Sequence, residues 1–154
     1  LIAASCSLPI LATSFKVELL EGDHDFNNGA DTFKCALFKA NASITGTYDA
    51  TTTNYSVMTG NSDELPATGG YSTNGNTLTN VNPTSSSTTA YTDFNDTEWG
   101  SATFTTRGCM IYNSSDGNSC VMVINFGADY SVSGGTFKIE FPAAGASTAI
   151  LRIV

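Results

Sequence analysis

His24 is the only histidine in the sequence, so a histidine-based acid or base mechanism would have to centre on it. It lies between Asp23 and Asp25, and the sequence contains neither a G-x-S-x-G nucleophile motif nor an H-E-x-x-H zinc motif. A histidine flanked by two acids in a polar, glycine-containing segment is typical of a hydrogen-bonded loop. The sequence therefore predicts no catalytic residues and no enzymatic activity.

The same segment contains oxygen-bearing side chains at alternate positions: Asp23, Asp25, Asn27 and Asp31. Alternating oxygen ligands are what a calcium-binding loop supplies. Gly29 falls one position later than an EF-hand loop requires, and the distal bidentate glutamate is absent. We therefore favour a polar loop with Asx turns over a calcium site, and we expect no metal and no other cofactor.

Two of the four cysteines, Cys109 and Cys120, flank a polar stretch that predicts a hairpin turn. If they face each other across the two strands, their β carbons approach disulfide range. A pair of reduced, buried thiols is the alternative, as expected for a protein that assembles in a reducing cytosol. Cys35 is predicted to be a core residue, whereas Cys6 is expected to stay free or to link subunits.

Aromatic side chains offer one further possibility, a platform for sugars built from Trp99 with Tyr91 and Phe94. Aromatic residues at strand positions belong more often to the core, and this is the reading we favour.

Composition excludes several classes of function. The net charge is −8 with only six lysines and arginines, so no basic patch is expected that could bind nucleic acid or an anionic membrane. No stretch reaches the roughly 20 apolar residues of a membrane-spanning helix. Serine and threonine make up roughly a quarter of the chain, which favours strands, turns and solvated loops over helices.

Alternation of apolar and polar residues predicts the elements that position these side chains. Strands are expected at residues 13–20 and 31–38, joined as a hairpin by a long loop, and at residues 89–94, 99–112, 120–126, 137–141 and 148–154. Asp116-Gly117 predicts the tight turn between the fourth and fifth of these strands. The threonine-rich stretch 41–89 predicts long surface loops with one or two edge strands. We predict an all-β, single-domain antiparallel sandwich or jelly-roll-like barrel of about eight strands.

The first twelve residues differ from the rest because they are apolar and interrupted by Pro9. A processed precursor, a truncated reading frame and an extended arm all agree with this stretch, and we favour the arm. The predicted organisation is an N-terminal arm at residues 1–12 and a β-sandwich domain at residues 13–154. Within the arm, Leu8, Ile10 and Leu11 are the candidate assembly contacts.

Several motifs stand out along the chain: HDF at residues 24–26, DTFKCALF at 31–38, the stretch 94–99, RGCMIYNSS at 107–115, NFGAD at 125–129 and the closing FPAAGASTAILRIV. They resemble motifs of small structural proteins of tailed bacteriophages. The resemblance covers the chain from about Ala12 onward and implies a virion component, of the head decoration or cement type.

The function expected from this resemblance is structural. The protein would lie on the capsid exterior and stabilise the head by bridging capsomers. Its partners would be the major capsid protein and copies of itself in a homo-oligomer, for which such proteins suggest a trimer, with neither nucleic acid nor membrane involved. The alternatives are a tail-tube or fibre subunit, and a secreted carbohydrate-binding β module at an extracellular location.

Overall fold

The computed structural model describes residues 1–6, 9–40 and 48–154, and most of its regular structure is β. The helices are α1 (Thr13–Glu21) and α2 (Tyr55–Gly60). The strands are β1 (Ile2–Ser5), β2 (Ile10–Leu11), β3 (Phe33–Lys39), β4 (Asn76–Thr77), β5 (Asn80–Ser86), β6 (Thr89–Phe94), β7 (Thr97–Asn113), β8 (Ser119–Glu140) and β9 (Leu151–Ile153). The predicted all-β class is confirmed.

The long hairpin β7–β8 organises the larger of two sheets. The strand order is β1-β8-β7-β3-β4, and β2 pairs with β8 as well. The smaller sheet has the order β5-β6-β9. The two sheets pack in a sandwich-like arrangement, and the described strands do not close a barrel. β1 runs parallel to β8, so the larger sheet is mixed rather than purely antiparallel as predicted.

The predicted turn between β7 and β8 is confirmed. Gly117 and Asn118 both have positive φ, at 53° and 66°. A tight hairpin needs this left-handed backbone, which glycine and asparagine adopt at the lowest cost. The alternation predicted for the end of β8 is confirmed as well, because Phe137 and Ile139 are buried whereas Glu140 is exposed.

Residues 13–20 form a helix, so the prediction of a strand here, and of its hairpin with residues 31–38, is wrong. Phe15 is buried and Leu19 half-buried, which is the i, i+4 spacing of a helix face, whereas Val17 is 52% exposed. Gly22 ends α1 in the left-handed conformation at φ 88°, and its N–H donates to the carbonyl of Glu18. Over so short a run, the spacing of the apolar residues fits the two-residue period of a strand and the 3.6-residue period of a helix. The glycine cap favours the helix.

The threonine-rich middle of the chain contributes more to the core than predicted. Residues 41–47 lie outside the described residues. Beyond them, Asn54 caps α2 by accepting a hydrogen bond from the N–H of Ser56. Buried side chains then recur singly through the segment: Tyr48, Tyr55, Met58, Leu65, Tyr71 and Leu78. Because they are isolated by polar residues, no period in the sequence marks them.

The described residues of the predicted arm belong to the larger sheet. β1 pairs with Phe137–Glu140 at one end of β8, and β2 pairs with residues 122 and 123 near the other end. Ala4 and Cys6 are fully buried. The outer edge of β8 offers unpaired backbone groups, and pairing with them explains why these residues lie along the domain rather than away from it.

Two motifs that carry the phage resemblance face each other in β7 and β8. Gly108 lies opposite Asn125 and Thr106 lies opposite Tyr130, so Arg107 faces a four-residue bulge. Asn125 Oδ1 accepts a hydrogen bond from the N–H of Gly127 at 2.8 Å, and Arg107 Nη1 contacts Asp129 Oδ1 at 3.0 Å. Residues within RGCMIYNSS and NFGAD therefore build a local kink in the hairpin.

Candidate functional sites

The side chain of His24 is completely buried where α1, the following loop and the end of β7 meet. Its ring packs against Phe15, with centroids 5.0 Å apart, and Phe33 lies 6.4 Å away. Its Nε2 atom lies 3.0 Å from Glu18 Oε2 of α1, and its Nδ1 atom lies 3.0 Å from Asn113 Nδ2 of β7. Both ring nitrogens therefore have a protein partner.

The orientation of the Asn113 amide fixes the tautomer of His24. Asn113 Oδ1 accepts hydrogen bonds from the backbone N–H groups of Ser115 and Asp116, at 2.9 and 3.3 Å. Its Nδ2 group must therefore face His24 and Asp31, and it donates to Asp31 Oδ2 at 2.8 Å. A donor opposite Nδ1 makes that nitrogen an acceptor, so the hydrogen lies on Nε2 and is donated to Glu18.

One group of three potential metal ligands occurs in the described part of the chain, Glu18 with His24 and Asp116, whose ligand atoms lie within 4.8 Å of one another. A metal bound at His24 Nε2 would require the ring hydrogen to move to Nδ1. There it would point at the amino group of Asn113, which donates as well. This donor set therefore does not fit a metal ion coordinated through His24.

The candidate calcium loop uses its oxygen atoms for hydrogen bonds within the protein. Asp25 Oδ1 accepts from the N–H and the Nδ2 group of Asn27, at 2.9 and 2.8 Å. Asp31 Oδ2 accepts from the N–H of Asp25 at 2.9 Å. The carboxylates of Asp23, Asp25 and Asp31 do not converge into a group of potential ligands in the described structure. The geometry is that of the Asx turns that the sequence favours over a calcium site.

Cys109 and Cys120 do not face each other. Cys109 pairs with Ile124 and Cys120 pairs with Tyr112, and all four cysteines are free and buried. Of the two alternatives left open, a disulfide does not fit this register, and the structure contains reduced, buried thiols. Burial, followed by contacts with Cys35 and Cys6, raises the pKa of the Cys109 thiol well above its usual value. Burial raises the pKa of Cys120 to about 12.

Two of the three aromatic residues considered as a sugar platform belong to the core, whereas Tyr91 is half-buried and lines a surface cavity. Trp99 and Phe94 are each only 3% exposed. The Trp99 ring lies 5.9 Å from Phe137 and 6.2 Å from Tyr71, between centroids. Neither ring offers a free face, so the prediction that these residues belong to the core is confirmed for Trp99 and Phe94.

A buried network of tyrosines surrounds Glu64. Its Oε1 atom accepts from the hydroxyl of Tyr71 at 2.8 Å and the N–H of Asn74 at 2.7 Å, and its Oε2 atom accepts from the hydroxyl of Tyr55. Tyr112 stacks on Tyr55 at 4.5 Å and donates to the carbonyl of Asn74 at 2.8 Å. The network connects the loop that follows α2 to β7.

Two surface cavities lie on either side of β9. The first, which we call the helix cavity, has a volume of about 230 Å³ and lies between α1 and the smaller sheet, where its walls include Leu19, Phe26 and Ile153. The second, the terminal cavity, has a volume of about 380 Å³ and is lined by residues from both ends of the chain, Leu11 and Val154 among them.

One of the three predicted assembly contacts, Leu11, lines a cavity. Leu11 lines the terminal cavity, and Ile10, the residue before it in β2, is 40% exposed. Leu8 lies outside the described residues. Sequence reasoning missed the helix cavity because it depends on α1. The signals that were available were the i, i+4 pair Phe15 and Leu19 and the glycine that follows the helix.

Comparisons with protein-family models, with curated proteins and with solved structures found no match to this chain. Neither of the two helices in the described residues is long and apolar enough to cross a membrane.

Proposed function

We propose that this chain is a structural protein of a tailed-bacteriophage virion that decorates the capsid exterior and stabilises the head by bridging capsomers. One observation carries the proposal. In the described part of the chain, every exposed large hydrophobic side chain lies within residues 1–20 or at the last two positions: Leu1, Ile10, Val17, Leu20, Ile153 and Val154. Two of them line surface cavities, Ile153 the helix cavity and Val154 the terminal cavity, and exposed apolar side chains at such places are candidates for an interaction surface.

The rest of the exterior suits a displayed protein. The net charge is −8, and the surface is rich in serine, threonine and asparagine. Like charge between copies and a hydroxyl-rich surface oppose nonspecific association when many copies are close together. The proposal therefore assigns attachment to the exposed apolar side chains named above, and outward display to the threonine-rich middle of the chain.

The proposed partners are the major capsid protein and further copies of this chain, and the proposed location is the virion. The mechanism is burial of interface area, and it requires no cofactor and no catalytic group. The motif resemblance supports membership of a virion, and the choice of head over tail is part of the proposal. The burial of Trp99 and Phe94 weakens the rival reading as a carbohydrate-binding module.

Immunogold electron microscopy of virions, with antibodies against this chain, tests the proposal. We expect label on heads. Label confined to tails would favour the tail-tube or fibre subunit, and particles without label would overturn the proposal.

Variants then test the attachment region. Ile10→Ser, at an exposed position of β2, and Val154→Ser, in the lining of the terminal cavity, are expected to reduce the number of copies per particle. Asn28→Ala, at an exposed polar position in a loop, is the control and should leave the copy number unchanged. Mass photometry of the purified chain measures the oligomer, for which a trimer is expected.

A further inference from the structure

The helix cavity has the size and lining of a site for a single apolar side chain. Its walls are mostly apolar and come from separate elements: Leu19 from α1, Phe26 from the loop after it, Pro83 from β5, and Leu151 with Ile153 from β9. Its volume of about 230 Å³ is below the roughly 300–1,000 Å³ that drug-sized ligands occupy. Ile153 is 60% exposed beside the opening and would be covered by an occupant.

Negative charge lies on one side of this cavity. Asp25 is a lining residue, and two further acidic residues are exposed before it in the sequence, Glu21 at the end of α1 and Asp23 in the loop that follows. The C-terminal end of α1 adds the partial negative charge of its carbonyl groups, and no basic side chain lies in its last turn to balance it. Complementary positive charge must therefore come from the occupant.

We propose that the helix cavity binds an apolar side chain flanked by lysine or arginine in an exposed segment of a protein partner. The proposal rests on the function proposed above, because it names the chemistry of the partner segment in the assembly. A second copy of this chain fits the site less well, because it would bring another net charge of −8 to an acidic surface. Burial of the apolar side chain supplies affinity, and the flanking charges select the partner.

The test uses the full chain, labelled with ¹⁵N, and three synthetic peptides: Gly-Lys-Lys-Leu-Lys-Lys-Gly, the same peptide with alanine for leucine, and the same peptide with glutamate for every lysine. The first peptide should shift the amide resonances of Leu19, Phe26 and Leu151. Loss of the leucine should weaken binding by about tenfold or more. The glutamate peptide should not bind, and added salt should weaken binding of the lysine peptide.

A matched pair of variants controls for the position of the site. Ala90→Leu places a larger side chain at an exposed position in the cavity wall and should weaken binding of the lysine peptide about fivefold or more. Ala128→Leu makes the same change in the exposed bulge of β8, outside the cavity, and should leave binding unchanged.

Three results would overturn the proposal: no shifts with the lysine peptide, equal shifts with the glutamate peptide, or equal loss of binding in both variants. The peptide assay does not involve virions. Gold label confined to tails would therefore overturn the proposed capsid function and leave the peptide result unaffected. Failure of the lysine peptide to bind would overturn the proposed binding site and leave the capsid function unaffected.

Discussion

Asn113 Nδ2 donates a hydrogen bond to His24 Nδ1 at 3.0 Å, and this contact determines the chemistry of the single histidine. The ring hydrogen is held on Nε2, where Glu18 accepts it at 3.0 Å. His24 thereby connects α1 to the end of β7 through the core. Both of its ring nitrogens are used in these two hydrogen bonds.

The first prediction concerns Asn113. Asn113→Ala would leave His24 Nδ1 and the N–H groups of the β7–β8 turn without partners, so we expect the free energy of unfolding to fall by about 3 kcal/mol. Urea denaturation of the variant measures this loss. Asn28→Ala, at an exposed position, is the matched control and should change stability little. An unchanged urea midpoint for Asn113→Ala would show that the amide is not part of the core network.

The second prediction concerns metal ions. Because the tautomer of His24 does not suit coordination, Zn²⁺ and EDTA should each leave the melting temperature unchanged, whereas a ligand that binds the folded state would raise it. ¹⁵N chemical shifts of the imidazole should show the hydrogen on Nε2. A zinc-dependent rise in melting temperature that Glu18→Gln abolishes would contradict this prediction.

The third prediction concerns alkaline pH. Burial first, and then the carboxylate of Glu64, raises the pKa values of Tyr55 and Tyr71 above the usual value. In the unfolded chain these hydroxyls ionise near pH 10, at about their usual pKa. The unfolded state therefore loses protons that the folded state keeps, so stability is fully present below about pH 10 and falls as the pH rises further.

Urea titrations between about pH 8 and pH 11 measure this fall in stability. Glu64→Gln removes the negative charge beside both hydroxyls and should make the fall less steep. The exposed Glu98→Gln is the control and should leave the slope as it is. If stability rose between these pH values, the network would not hold its tyrosines in the neutral form.

The fourth prediction concerns Gly108. A β carbon here would lie 2.3 Å from the carbonyl oxygen of Ile124 and 2.3 Å from Cζ of Phe38, so Gly108→Ala should cost about 1–3 kcal/mol or more in stability. Gly100 lies in β7 too, and a β carbon there meets nothing within 4 Å. Gly100→Ala should therefore leave stability nearly unchanged. Equal effects of the two substitutions in thermal denaturation would argue against the packing of the Phe38 ring on β7.

The fifth prediction concerns the thiols. All four cysteines are buried and free, so iodoacetamide should label the native protein slowly and label four thiols in denaturant. Mass spectrometry counts the labels. Recovery of only two labels from denatured, unreduced protein would reveal a disulfide that this register of β7 and β8 does not form.

The sequence predicts those parts of the fold in which local chemistry and tertiary structure agree. The β7–β8 turn follows from Asp116-Gly117, and the end of β8 follows from the alternation of Phe137 and Ile139 with polar residues. At residues 13–20 the pattern fits a strand and a helix equally, and the chain follows the helix because Gly22 caps it and Phe15 with Leu19 face inward.

Side-chain networks are the part that the sequence could not predict. Asn113 lies 89 residues from His24, and the tyrosine network joins Glu64 to Tyr112 through Asn74. No spacing rule relates such positions, because the contacts depend on how the long hairpin carries distant residues together. The helix cavity was missed for a different reason: α1, which forms one of its walls, was predicted as a strand.

The parallel pairing of β1 with β8 has a consequence for how the molecule is made. Ile2 leaves the ribosome well before its partner Phe137, which follows about 135 residues later. Contacts so far apart in sequence are slow to form, since a large loop must close before they contribute. During synthesis β1 therefore stays unpaired until β8 has been made, and until then β1 is open to pairing with other nascent chains.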